Sequence, residues 1–382
     1  MRSYLYILLV PLLAGSSGAG LHAQEAQVGV TVPVTITGGF LDTDRPKADE
    51  PSATSIYPGF RVLAKPQMKL GSHWYFYSAI QVRSTPFFYE DAYSADRGID
   101  TQALQLFLGY ARSWTHTSVG VKIGKLPSAF GAFPLRYDDM DNALIDEPLP
   151  YTYLQLRSFR PGQEPYGLTP VTLYGLPGAE FDLSLDRLDT RLQITNSNPY
   201  DPRSILDSGQ HIQWTAGAGY TIRQGFRVGV SAYDGPWLNN SLKPLLPAGS
   251  TVRDFPASGL GVDAQWAHGA WSTGGEWQHF VFRFPPSSAS ALNFGYVELK
   301  RIISPRWYSA VRGNYQTNNR QAASFLARRQ IAEVAVGFRP DRFQLLKVGY
   351  EWEAVQGGPP VRDNVFGVQF VTAIDGLSKA FK

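Results

Sequence analysis

Charged side chains recur at alternate positions within otherwise apolar stretches of this 382-residue chain: Arg61, Lys65, Lys69, Arg83, Lys122, Arg191, Arg227, Arg312 and Lys347, with Asp182, Asp263, Glu276, Glu333, Glu351 and Asp363. On the wall of a wet passage such groups set ion preference, because an ion that sheds part of its water needs compensating charge. Singly, each could also serve only to solvate a wall. A second cluster, Arg136, Asp138, Asp139, Asp141, Asp146 and Glu147, lies beside Arg157 and Arg160 in one long connection. Asp138 to Asn142 lacks the spaced ligands, central glycine and closing glutamate of a calcium loop, and no metal is expected there. Six scattered histidines show no ligand spacing, and neither a Gly-x-Ser-x-Gly elbow nor a phosphate loop is present, so no cofactor is expected and enzymatic chemistry has no local motif.

The elements that position these groups begin after a leader. Arg2, an apolar run from Tyr4 to Leu13, small residues and Leu21-His22-Ala23 read as a secretory signal peptide over 1–23. The run is shorter than the roughly 20 residues that span a bilayer as a helix. Residues 24–382 show no linker and read as one domain. Aromatics at 13% and 37 glycines suit strands and tight turns, while a net charge of +3 without a basic patch argues against nucleic acid as a partner.

Period-two alternation is the dominant signal. Val28, Val30, Val32, Val34 and Ile36 share one face against Thr31, Thr35 and Thr37, and the pattern returns at Trp74–Arg83, His211–Ile222, Phe226–Val230, Leu260–Trp266, Ala332–Phe338 and Asp363–Ile374. Short turns (Gly71-Ser72, Ser113–His116, Asp186–Asp189, Arg223–Gly225, Ala267–Gly269, Ser304-Pro305, Pro340-Asp341) alternate with long polar connections. One strand on each side of every connection gives about sixteen. The expected fold is therefore all-β: a transmembrane antiparallel up-and-down β-barrel with short periplasmic turns and long extracellular loops. Trp74, Tyr93, Trp114, Trp237, Trp271, Trp307 and Trp352 near strand ends are candidates for interfacial girdles. Two segments resist the pattern. Around 291–303 apolar residues occupy both faces, suggesting a bulge or a shifted register, and Pro177-Gly178 interrupts 171–185.

The connection 125–170 is too long for an unstructured loop and carries enough apolar residues, among them Phe130, Leu144, Ile145, Leu149 and Tyr151, to pack against something. Folded into the barrel, it would narrow it and oppose acidic loop groups to a basic wall, creating a transverse field. Folded outward, it would be an adhesive surface.

The segment Gly124-Lys125-Leu126-Pro127-Ser128-Ala129-Phe130-Gly131 resembles the strand ending and Pro-Phe-Gly element before the third loop of sixteen-stranded bacterial porins, including the phosphate-selective group. Pro127 departs from that pattern by lying three residues before Phe130, as does the tail Asp375–Lys382. The resemblance implies a loop-constricted channel in the outer membrane of a Gram-negative bacterium, in contact with membrane lipid and lipopolysaccharide, assembled as a homotrimer. The expected function is passive diffusion of small hydrophilic solutes or ions with a weak anion preference. A structural or adhesive barrel and an outer-membrane lipid hydrolase, built from His211 or His279 near a serine, are the alternatives.

Overall fold

The computed structural model describes residues 29–43, 56–85, 87, 98–132, 138–151, 155–156, 167–168, 175–196, 212–238, 244, 246–283, 290–318, 328–356 and 361–374. The signal-peptide reading, Tyr93, Arg136, Arg157, Arg160 and His211 lie outside these residues.

Among them run sixteen membrane strands. The first eight are β1 (Gly29–Thr31 continued by Val34–Thr43), β2 (Ile56–Ala64 continued by Gln67–Leu70), β3 (Trp74–Thr85), β4 (Gly98–Ser113), β5 (Thr117–Leu126), β6 (Leu176–Leu185), β7 (Leu188–Asn196) and β8 (Ile212–Arg223). The second eight are β9 (Phe226–Gly235), β10 (Ala257–His268), β11 (Trp271–Phe282), β12 (Ser290–Ile302), β13 (Trp307–Asn318), β14 (Arg328–Phe338), β15 (Gln344–Gln356) and β16 (Val361–Ile374). Pro33 and Pro66 break β1 and β2 because proline cannot donate to a ladder. Their carbonyls still accept from Lys65 N–H (2.8 Å) and Ser78 N–H (2.9 Å), so each broken pair acts as one strand.

Every strand pairs antiparallel with its sequence neighbours, and β1 pairs with β16 from Val34↔Ile374 to Thr43↔Val365. Closure leaves no edge, as hydrocarbon demands of any sheet that crosses it. Pleating then sorts the side chains. Ile36, Ile80, Ile194, Val230, Val262, Val334 and Phe370 point outward and are exposed, whereas Thr37, Gln81, Gln193, Ser231, Glu333 and Gln369 point inward and are buried. The expected barrel, its strand count and its alternation of short and long connections are all present.

Trp74, Trp114, Trp271, Trp307 and Trp352 are exposed as a girdle requires. Trp237 is not among them. It is buried against Phe282 (centroids 4.9 Å apart) and its indole N–H donates to the Arg283 carbonyl (3.2 Å). The strand over 290–302 contains no bulge: its register with β11 and β13 is unbroken, and Leu292, Phe294 and Tyr296 face inward with Glu298 while Val297 and Leu299 face out. The bulges fall elsewhere, where Leu104 is inserted between Ala103↔Ile80 and Gln105↔Ala79, and at Ile222 in β8. β6 begins at Leu176 and tolerates Pro177 because proline sits at the strand's start, beside Lys125 of β5.

Outward placement makes a direct prediction. Val262→Arg, at the middle of the lipid face of β10, should lower barrel stability by about 2–4 kcal/mol in denaturant refolding titrations into vesicles. A loss near zero would mean that Val262 faces water.

Candidate functional site

The long connection after β5 enters the barrel. Its first residues are seated on β7 and β11: the Gln193 amide donates to Pro127 O (2.7 Å), Arg191 donates to Gly131 O (3.2 Å), and Ala132 N–H donates to the Glu276 carboxylate (3.1 Å). Phe130 is fully buried beside Phe280, with centroids 5.2 Å apart. Gly131 has φ +73°, a region that disfavours side chains, and a Cβ there would overlap the Tyr151 hydroxyl. Further along, the hydroxyl of Tyr151 donates to Glu276, which also accepts from Tyr296 (2.8 Å).

Between these two anchor points, residues 138–149 lie against the far side of the wall. Asp139 accepts from Thr37 (2.7 Å) and pairs with Arg61 (3.1 Å), and Asp138 accepts from Thr35 (3.2 Å) and pairs with Lys65. The returning limb is held by its main chain. Lys347 Nζ donates to the carbonyls of Leu144 (2.9 Å) and Asp139 (3.1 Å), and Tyr308 to that of Ala143 (3.0 Å). Glu333 accepts the amides of Ile145 (3.0 Å) and Asp146 (3.2 Å), while Arg312 bridges Glu333 (2.5 Å) and Asp146 O (2.8 Å). Leu149 N–H donates to Asn314 (3.1 Å). The underlying wall supplies the apolar partners Tyr233, Phe280, Phe282, Leu292, Phe294 and Tyr296.

This arrangement divides the basic residues expected on the lumen wall. Arg61, Arg312 and Lys347 are at most 2% exposed, sealed between wall and loop, and so face loop rather than water. Arg83 is also buried. Lys65, Lys122 and Arg227 keep about a fifth to a quarter of their side-chain surface accessible, and Lys69 is exposed. The loop acids Asp138, Asp139, Asp146 and Glu147 are likewise buried, and only Asp141 is exposed. The opposed loop and wall charges of the sequence reading therefore meet in contact, not across a gap.

Beside the seat of residues 127–132, the wall from β5 to β10 carries its own charges in a row. Lys122 lies 2.6 Å from Glu180 and 2.8 Å from Asp182. Arg227 reaches over β8 to Asp189 (2.7 Å) and sideways to Asp263 (2.9 Å). That reach requires Gly219, where a Cβ would overlap the guanidinium. Asp189 and Glu180 were missed by the sequence reading. Their signal was available, since Asp189 alternates with Arg191 along β7 and Glu180 with Asp182 along β6.

His279 points outward, stacked on Trp277, and its Nδ1 contacts Asn293 (2.8 Å). No group of three metal-ligating side chains occurs among the described residues.

Solved structures with this fold include OprB of Pseudomonas putida at high pH (TM-score 0.60, 11% identity, 91% of this chain and 94% of that one). They also include the outer membrane channel DcaP of Acinetobacter baumannii (0.58, 11%, 92% and 99%) and the trimer form of OmpT, an outer membrane protein of Vibrio cholerae (0.56, 9%, 91% and 99%). At these identities the likeness is one of fold, and the chain has the sixteen-stranded porin-like barrel. No protein-family description and no curated sequence matches it.

Two outcomes follow for the docked loop. Glu333→Ala strands two loop amides and removes the nearest carboxylate of Arg312, and should weaken docking by about 3 kcal/mol or more, seen as faster hydrogen exchange at Ile145 and Asp146 with the barrel intact. Burial alone would raise the Asp138 carboxyl, but Lys65, with the Met140 amide and Arg61, outweighs it and holds the group below its ordinary 3.8. Its contribution to docking is therefore fully present above pH 3.8 and disappears as pH falls through the lowered value. Protection of the loop amides, corrected for the pH dependence of intrinsic exchange, should stay flat on acidification to pH 3.8 and fall only below it.

Proposed function

We propose that the protein is an outer-membrane diffusion channel for small hydrophilic solutes and ions, narrowed by its inward-folded third loop. One observation carries this reading: water reaches Lys122, Asp182, Asp189 and Arg227 inside the barrel, while the loop limb from Asp138 to Leu149 lies against β1, β2 and β13 to β15. A passage between the two would be wet, charged and free of energy input, which suits passive diffusion. The fold shared with the outer membrane channel DcaP supports the same reading, and the trimer form of OmpT supports assembly as a homotrimer.

A weak anion preference follows if the groups that water reaches dominate. Lys65, Lys69, Lys122, Arg191 and Arg227 then face Asp141, Asp182 and Asp189, with Glu180 and Asp263 more deeply set. Arg61, Arg312 and Lys347 contribute little, because their charge is already compensated beneath the loop.

Planar-bilayer recording tests both levels. Stable stepwise conductance is expected, and a folded barrel without conductance would overturn the channel. Under a salt gradient the reversal potential should carry the anion sign, and Lys122→Glu should move it toward cations. A cation sign in the native protein would overturn the preference while leaving the channel standing.

A further inference from the structure

The outer surface of the barrel is not uniformly convex. Across β8 to β12 the small residues Ala218, Ala264 and Gly275 leave an apolar groove of ≈ 870 Å³ walled by Tyr220, Trp266 and Trp277. These residues alternate with lumen-facing ones such as Gly219, Asp263 and Glu276, which places the groove on the lipid side.

The end of the groove at the short-turn rim is basic. Arg187 immediately precedes Leu188, which lines the groove, and its Nη1 donates to Ile222 O (3.1 Å) at the exposed end of β8. Arg223 pairs in register with outward-facing Phe226, another lining residue. Arg301, on the outward face of β12, lies over the Trp271 ring, 4.9 Å from its centre. All three are exposed. The nearest turn acid, Asp186, is engaged by His116 at 2.7 Å. A guanidinium stacked on an aromatic face keeps its N–H edge free for an anion, and the planar fork suits phosphate oxygens.

We propose that this surface binds an anionic phospholipid, with an acyl chain in the groove and the headgroup phosphate on Arg187 and Arg223, flanked by Arg301. Charge complementarity selects the occupant: the groove takes hydrocarbon, and its basic end sits at the level of the aromatic girdle, where headgroup phosphates lie. The site rests on the membrane-embedded barrel and is independent of channel activity, so absence of conductance leaves it untouched.

Purified protein in mixed phosphatidylglycerol and phosphatidylcholine nanodiscs, released for native mass spectrometry, tests it. Phosphatidylglycerol should be retained preferentially, and Arg187→Gln with Arg223→Gln should reduce that preference by about fivefold for each arginine removed. Ala218→Phe, which fills the groove on a face that tolerates apolar bulk, should lower lipid retention with all arginines present. Arg253→Gln, in the connection at the opposite rim, should change nothing. Equal retention of both lipids, or a preference indifferent to Arg187 and Arg223, would overturn the proposal. So would an Ala218→Phe variant that loses oligomers but keeps lipid, since the groove would then be a contact between copies of the chain.

Discussion

Closure of the backbone hydrogen-bond ladder governs this structure. In hydrocarbon an unpaired amide or carbonyl has no water to turn to, so the sheet must end where it began, and the β1–β16 register does this over ten residue pairs. Once closed, the pleat leaves each strand residue two destinations, lipid or lumen. Apolar residues take the first. The second then receives more charge than an interior can hold bare, and the remaining architecture answers that excess.

Two solutions coexist inside one barrel. On the half formed by β11 to β2, the loop replaces water: its amides solvate Glu333, its carbonyls solvate Lys347, and its acids compensate Arg61 and Lys65. A buried charge deprived of partners costs several kcal/mol, so wall and loop depend on one another. On the half formed by β5 to β10, strand neighbours compensate each other, as in Lys122 with Glu180 and Asp182, and water does the rest. The second half, with Lys65, Lys69 and Asp141 from the first, keeps charge where a passing solute could meet it.

The sequence made the barrel legible because period two has a single physical cause, a sheet with unlike solvents on its faces. It misled where that premise failed. Leu292, Phe294 and Tyr296 alternate with Val297 and Leu299, so both faces of β12 are apolar, which looked like a register error. The strand is regular and has a greasy partner on each side, lipid outside and the loop inside, which is the pattern of a strand buried on both faces. Trp237 was misassigned for a related reason: an aromatic near a strand end serves a girdle or a packed loop equally well, and only the fold distinguishes them. The loop's inward course was legible from its apolar content. The burial of Arg312 and Lys347 was not, because no alternation rule says which lumen positions a loop will cover.

How the loop is held also bears on how such a barrel persists with 9–11% identity to others of its fold. Much of the docking on β13 to β15 addresses main-chain groups, which every sequence supplies. Lys347 donates to loop carbonyls and Glu333 accepts loop amides irrespective of the side chains those residues carry. Side-chain identity matters at the far turn, where Asp138 and Asp139 meet Lys65 and Arg61, and near the ends, where Phe130 and Tyr151 fill fixed spaces. The intervening residues can therefore vary while the loop keeps its place. Variation at Asp141, exposed on that supported limb, would alter the surface offered to water without disturbing what supports it.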